Sequence, residues 1–320
     1  MHVLSSPSSK LPLTWADLPD RPLRPDEVRV ATRAVSVNPV DWKMREVSLL
    51  GFAQRIIGPR GPFVCGVDFA GEVIEVGAKA DLKVGDRVVG GTDFSRSQRG
   101  SYARTVQVRA TQVAVLPTEV SFDAASCLPV AGVTAAMAVR GHGGTQRRPG
   151  SRVLVLGASG GVGHFAVQLA RIDGAAVIVG VCSQRNMALV QRLGATPIDY
   201  GAGDALAAAG ALGPFDVIVD AIGSATYPVR RCKALLAPGG VLVHIMPMPR
   251  DYLHLAIPGP VKTVLGRPNR QNLTPLVAHL SSGELEAVIA ERIELGEAER
   301  AQAISRAGRV VGKLVLTSGT

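Results

Sequence analysis

The stretch "RVLVLGASGGVGHFAVQLAR", Arg152 to Arg171, limits what this chain can fold into more than any other. A short apolar run reaches a glycine-rich corner, and the corner opens into a segment whose apolar residues Val162, Phe165, Ala166, Leu169 and Ile172 recur at helical spacing. Strand, glycine corner and helix, in that order, make the phosphate cradle of a dinucleotide-binding unit. Ala158-Ser159-Gly160-Gly161-Val162-Gly163 reads as its fingerprint with the first glycine replaced by alanine. Gly160 is expected to let the backbone approach a pyrophosphate, and Gly163 to let helix and strand pack closely. The helix N-terminus then offers N–H donors and the positive end of its dipole.

From Arg152 to Met246 apolar runs continue to alternate with helical segments: "AAVIVGVC", "QRNMALVQRLG", "TPIDY", "FDVIVDAIG", "ATYPVRRCKALLAPGG" and "VLVHIM". Strands apolar on both faces and separated by helices predict a parallel, doubly wound sheet. The end of its second strand selects the dinucleotide. An NAD-specific sheet places a carboxylate there for the ribose hydroxyls, whereas this chain reads Cys182, Ser183, Gln184, Arg185. A 2′-phosphate meets no repulsion from that set and gains a hydroxyl and a guanidinium. The expected cofactor is therefore NADPH; the other reading of Arg185 is a solvated residue in a first helical turn.

Upstream, "EVRVATRAVSV", "GEVIEVG", "DRVVGG" and "TVQVRATQVAVLP" are short β-branched runs divided by Gly, Asp and Pro, which predicts a compact antiparallel β region. "SFDAASCLPVAGVTAAMAV" reads as helical. The tail offers a helix ("LTPLVAHLSSG"), a strand ("AVIAERIEL"), a helix ("EAERAQAISRAG") and a strand ("GKLVLT"), expected to fold back onto the N-terminal region. The nucleotide-binding domain, 123–265, would then be an insertion in a domain made of 1–122 and 266–320. The Ser/Pro-rich first ten residues are expected to fray.

A chain of 320 residues with 47% hydrophobic content is long enough for two such domains. It shows no signal pattern and no apolar run of membrane-spanning length, which gives a cytoplasmic expectation. Cys65, Cys127, Cys182 and Cys232 lie too far apart in sequence for a zinc knuckle or a disulfide framework and read as reduced thiols. The net charge of +9 is spread over scattered arginines, and aromatics make up only 4%, so nucleic acid is not the expected partner.

In "AVSVNPVDWKMR" (34–45), "CGVDFAGEVIEVG" (65–77), "GSYARTV" (100–106), "LPVAGVTAAMAV" (128–139), "GASGGVG" (157–163), "LGATPIDY" (193–200), "FDVIVDAIG" (215–223) and "GKLVLT" (312–317), the chain resembles the zinc-independent quinone oxidoreductase, or zeta-crystallin-like, branch of the medium-chain dehydrogenase/reductase superfamily. The resemblance implies an α/β protein: a Rossmann doubly wound parallel sheet inserted in a GroES-like, mainly antiparallel β catalytic domain. It implies no metal, because Asn38 and Val67 stand where zinc-dependent relatives carry Cys and His ligands, and Ala131 lies near the third. The remaining chemistry is hydride transfer from NADPH to a small, apolar, already electrophilic acceptor, a quinone or the activated C=C of an enone or enal.

Asn38, Lys43 and Thr134 are the candidate polar groups for that step, with Asp41 holding either Lys43 or a backbone N–H. Asn38 is alternatively the cap of the "NPVD" turn, and Asp68 is read as structural. By resemblance Thr134 meets the nicotinamide ribose, Tyr200 lies near the 2′-phosphate, Ala221 and Ile222 of "DAIG" line the nicotinamide end, and Ile245, Met246 and Pro247 approach its carboxamide. Ser159 to Gly163, Cys182, Ser183 and Arg185 complete the cofactor set. Trp42 replaces a tyrosine common in the family and, with Tyr102, is assigned to a substrate pocket. Segment 45–63 is either a lid or a helix packed on the β core. The rival readings are an enoyl-thioester or polyketide-intermediate reductase, a non-redox cyclase, and a non-catalytic NADPH-binding protein. A homodimer is expected through "GGVLVHI".

Overall fold

Two crossings of the chain, after Val133 and after Gly266, separate Met1–Val133 with Arg267–Thr320 from Thr134–Gly266 in the computed structural model. It describes residues 1–6, 11–46, 62–93, 98–142, 144–245, 258–264 and 266–318.

In the first unit the strands run β1 (His2–Ser6), β2 (Thr14–Asp17), β3 (Glu27–Ser36), β4 (Phe63–Val64), β5 (Asp68–Val76), β6 (Arg87–Gly91), β7 (Thr105–Arg109) and β8 (Val113–Val115). β1 lies between β2 and β4 in a small antiparallel sheet. Val3 and Leu4 are buried in it, so the expected fraying does not extend over residues 2–6. β3 is the spine of the larger sheet and pairs antiparallel with both β5 and β7. Its β-branched residues at alternate positions, Val28 and Val30, enter a core with Phe69, Val73, Val88, Val106, Val108 and Val113.

The segment read as one helix is three pieces: a helix over Phe122–Ser126, a π-helical turn over Leu128–Gly132, and a helix over Val133–Arg140. Pro129 has no N–H to give, and the widened turn directs the Val130 N–H to Asp68 Oδ1 at 3.0 Å instead of into the helix ladder. That bond ties 123–133 to β5, so the first crossing falls at 133/134 and not at the expected 122/123.

The second unit has strands β9 (Arg152–Leu156), β10 (Val177–Cys182), β11 (Thr196–Asp199), β12 (Phe215–Asp220), β13 (Leu236–His244) and β14 (Val261–Thr263), all parallel, in the order β11-β10-β9-β12-β13-β14. The order reverses between β9 and β12, which makes the carboxyl edge of those strands the place where such a sheet takes ligands. Leu154, Leu156, Val179, Val181, Ile218 and Leu242 pack one face against helices Ala205–Gly210 and Val229–Lys233. The alternate residues Val153, Val155, Val217 and Val219 are equally buried, so both faces are covered. Helix Gly163–Ile172 is buried from 163 to 170 on all sides, a wider burial than the expected stripe, and Val162 and Ile172 are only half-buried. β14 occupies the outer side of β13 over Leu242–His244, so "VLVH" is an inner strand and not the free edge that the dimer expectation needs.

The chain then returns to the first unit through helix Arg270–Ser281, β15 (Ile289–Glu294), helix Ala298–Ala307 and β16 (Lys313–Thr317). β16 pairs antiparallel with β3 and parallel with β15, giving the larger sheet the order β15-β16-β3-β5-β6-β8. No helix among the described residues is long and apolar enough to cross a membrane.

Candidate functional site

The glycine corner follows β9 directly, and Gly157, not residue 158, takes the left-handed conformation, with φ +84°. The turn that the fingerprint's first glycine makes is thus made one residue earlier, and Ala158 is buried in an ordinary backbone state. A Cβ at Gly163 would fall on the Gly157 carbonyl oxygen, so only glycine lets the helix start this close to the strand. At Gly160 a Cβ would meet nothing but that oxygen, at 3.3 Å. The space over Gly160 is open, as a backbone that must admit a pyrophosphate requires, and the corner fits a dinucleotide. Asn186 Nδ2 donates to Ser159 Oγ at 3.0 Å and so joins the corner to the segment after β10.

The other cofactor candidates gather on the same carboxyl edge. Cys182 ends β10; it is buried, and burial followed by the nearby Asp199 pushes its thiol up to about 11. Ser183 is half-buried and Arg185 exposed, while Tyr200, half exposed, donates its N–H to Cys182 O at 3.0 Å. Asp199 is the register partner of Cys182, and its Oδ1 accepts the Gly201 N–H at 2.8 Å. Ala221 and Ile222 follow β12, and Ile245 follows β13, its N–H donating to Asp220 O at 3.1 Å. Met246 and Pro247 lie outside the described residues, as does nearly all of segment 45–63. Thr134 is buried, with its side chain closed over by the backbone of Gly266. All four cysteines are buried and free.

In the first unit, Asn38 and Asp41 belong to a buried polar network that leaves Lys43 out. The Asn38 Nδ2 donates to Asp68 Oδ2 at 2.8 Å and to Ser36 O at 3.4 Å, and its Oδ1 accepts from Lys313 Nζ at 2.5 Å. Lys313 also donates to Val37 O at 3.0 Å and stands 4.0 Å from Asp68 Oδ2, while Ser36 Oγ donates to that same oxygen at 2.5 Å. Every polar atom of the Asn38 amide is engaged inside its own unit and the residue is buried, so it has no spare donor for a substrate oxygen.

The "NPVD" turn is closed by the other residue: Asp41 Oδ2 accepts the Asn38 N–H at 2.7 Å and the Tyr102 hydroxyl at 3.2 Å. Asp41 thus holds a backbone N–H, not Lys43. Its Oδ1 has no hydrogen-bond partner, and burial, with the Asp68 charge adding to it, pushes its carboxyl up to about 7. Burial likewise raises Asp68 above the ordinary carboxylate range. Tyr102 is fully buried. Trp42 donates from Nε1 to Ser305 Oγ at 3.3 Å, with Lys43 Nζ and Arg306 Cζ each 5.5 Å from its ring, which fastens it to helix Ala298–Ala307. Lys43 is half-buried, and burial lowers its pKa.

Lys313, Ser36 and His244 escaped the sequence reading. The signal for Lys313 was a cation opening an otherwise apolar strand, "KLVLT", where a buried position demands partners. Among the described residues no group of three or more His, Cys, Asp or Glu is placed to hold a metal.

Residues 24–118 match the family described as alcohol dehydrogenase GroES-like domain, and residues 193–316 match the zinc-binding dehydrogenase family. The chain is 32% identical over 308 residues to the chloroplastic quinone oxidoreductase QR1 of Triphysaria versicolor, covering 91% of this chain and 89% of that one. It is 31% identical over 327 residues to the trans-enoyl reductase pgmF of Aspergillus terreus, covering 94% and 89%. The solved quinone oxidoreductase of Coxiella burnetii superposes with a TM-score of 0.86 at 28% identity, over 99% of this chain and 98% of that one. That of Pseudomonas syringae does so with a TM-score of 0.80, also at 28% identity, over 99% and 98%.

Proposed function

Because this chain belongs to the quinone oxidoreductase branch of the medium-chain dehydrogenase/reductase superfamily, with its GroES-like and Rossmann domains, we propose that it is an NADPH-dependent reductase of quinones or of the activated C=C bonds of enones and enals. The family is one of oxidoreductases that use a nicotinamide cofactor. The choice of NADPH rests on one observation: the edge beyond β10 carries Ser183, Arg185 and the half-exposed Tyr200 and no carboxylate, while the neighbouring Asp199 is turned into its own Gly201 turn. A hydroxyl and a guanidinium suit a 2′-phosphate.

When bound, NADPH supplies a hydride. The chain's part is to hold and orient it: Gly160 leaves room for the pyrophosphate, the first turn of helix Gly163–Ile172 carries N–H groups and a positive dipole end, and Gly157 sets the corner. An acceptor that is already electrophilic needs little polarisation, which agrees with a neutral, fully engaged amide at Asn38 and an apolar side chain at Val67. Likeness to a trans-enoyl reductase over most of the chain favours an enoyl-thioester acceptor as the second reading. A pantetheine-carrying thioester would need a long basic channel, for which the sequence offers Arg55, Arg60, Arg96 and Arg99; Arg99 donates from Nη1 to Pro19 O at 3.1 Å, and the other three lie outside the described residues.

The test is a titration with NADPH and NADH, followed by NADPH consumption against a panel of quinones, enones and enoyl thioesters. Tighter binding of NADPH, with turnover of a quinone or enone, is expected. Equal affinity for NADH removes the cofactor assignment, and tight NADPH binding without turnover on any acceptor turns the reading to a binding protein.

A further inference from the structure

The carboxyl ends of β9, β12 and β13 are in register at Leu156, Asp220 and His244. Two of those three ends are polar, and both side chains are fully buried. Asp220 follows Ile218 by two residues and His244 follows Leu242 by two, so strand alternation places both on the face covered by helices Ala205–Gly210 and Val229–Lys233.

The two ends of the Asp220 carboxylate do different things. Oδ1 accepts the N–H groups of Ile222 and Gly223, at 2.9 and 2.8 Å, and so bends the chain back immediately after β12. Oδ2 lies 2.9 Å from His244 Nδ1, close in distance but not aligned as a hydrogen bond, and neither ring nitrogen of His244 has a hydrogen-bond partner among the described residues. A buried imidazole nitrogen and a buried carboxylate oxygen, neither with a hydrogen-bond partner among the described residues, thus lie directly against one another.

The turn that Asp220 bends carries Ile222, half exposed although apolar. Ile222 lies against Gly157: a Cβ there would stand 2.7 Å from Ile222 Cδ1. A continuous line of contacts therefore runs from His244 through Asp220 and the Ile222 and Gly223 N–H groups to the residue that shapes the phosphate corner.

We propose that His244 is a positioning residue for the nucleotide site, fixing the Asp220 carboxylate and through it the seating of the Ala221–Gly223 turn on Gly157. This deepens the nicotinamide-dinucleotide reading of the second unit and rests on it. His244 touches no reacting atom. Its loss removes the ring that stands 2.9 Å from Asp220 Oδ2, leaving the carboxylate fixed by its two Oδ1 bonds alone.

The experiment compares His244→Leu, which removes the ring nitrogens, His244→Asn, whose Nδ2 stands near the place of Nδ1, and Leu242→Ala, which loosens the same strand and face without touching the turn. Dissociation constants for NADPH and NADP⁺ are measured by fluorescence titration, alongside thermal unfolding. The Leu variant, which sets an apolar side chain against the buried carboxylate oxygen where an imidazole nitrogen stands at 2.9 Å, is expected to bind about tenfold more weakly. The Asn variant stays within about twofold of the wild type, and Leu242→Ala loses thermal stability with its affinity unchanged. Wild-type affinity in His244→Leu, or equal affinity losses in His244→Leu and Leu242→Ala, overturns the proposal.

A second measurement needs no stable Leu variant. In ¹⁵N-histidine spectra of the wild-type protein, the His244 imidazole, identified by its absence in His244→Asn, shifts when NADP⁺ is added while His2 and His279 do not. No shift overturns the proposal. Failure of the wild-type protein to bind either dinucleotide instead removes the underlying reading, a result distinct from binding that leaves His244 unmoved.

Discussion

Replacing Asp41 by Asn should change how stability depends on pH, with a sign and a size that follow from its surroundings. In the folded chain its carboxyl is fully buried, Oδ1 lacks a partner, and the pKa stands at about 7 against 3.8 for the free group. Between those two values the folded state keeps the proton and the unfolded state has released it. The unfolded chain then binds fewer protons, so stability is greatest in acid, falls as pH rises from about 4 to about 7, and is level above that. At about 1.4 kcal/mol per pH unit the whole fall is about 4 kcal/mol, of which about 3 kcal/mol lies between pH 5 and 8. Asp68, also raised by burial, pulls in the same direction, and because its charge acts on Asp41 the difference between wild type and variant reads Asp41 together with its coupling to Asp68. Urea unfolding at steps from pH 5 to pH 8, with the slope checked for constancy, gives that difference. The Asn variant, whose amide oxygen can still accept the Asn38 N–H, is expected to gain on the wild type by about 3 kcal/mol over the interval. A difference that stays flat, or that moves the other way, shows that Asp41 is ionised throughout and refutes the reasoning.

The remaining expectations concern the same two centres. Lys313→Met strips the ammonium from Asn38 and Asp68 but leaves the Ser36, Asn38 and Val130 donors on Asp68, so urea denaturation should show a loss of about 3 kcal/mol, the low end for a broken buried pair. Gly160→Ala should fold with nearly wild-type stability yet lose NADPH binding in a fluorescence titration, whereas Gly163→Ala, whose Cβ meets the Gly157 backbone, should lose more than about 3 kcal/mol in unfolding. NADPH at a hundred times its dissociation constant should stabilise the protein by about 2.7 kcal/mol in a thermal shift, and Arg185→Ala should cut that gain for NADPH more than for NADH.

The second unit was legible because its determinants are local. A glycine corner between strand and helix announces itself in a few residues, and strand runs apolar on both faces need no partner to be recognised. Even there the alanine at 158 drew the eye from Gly157, the residue that takes φ +84° and packs against Ile222, far away in sequence. The tail was also read correctly as helix, strand, helix and strand. Helix Ala205–Gly210 and strand β14 were missed: one is a run of small residues with little periodicity, the other three residues long.

The polar network of the first unit was legible only as a set of residue types. Asn38, Asp41 and Asp68 stood out, but the partner that engages the Asn38 oxygen lies 275 positions away. Hydrogen-bond capacity spent inside a fold is invisible in sequence, so a residue that looks available for substrate can be fully occupied. The same limit applies to Tyr102, whose hydroxyl is engaged by Asp41, a partner 61 positions away.

The backbone of Gly266 rests on the side chain and N–H of Thr134, so the second unit begins and ends at one spot. For the surrounding chain, Val133 and Arg267 are joined as though by a short linker, whatever the length of what lies between. Loop-closure entropy grows with the span that is free to wander, and here the span is clamped at its own neck. A host interrupted in this way can accept, lose or exchange its insert almost without penalty to its own folding, which makes the pair of residues at the neck a natural seam for recombining nucleotide-binding units between scaffolds.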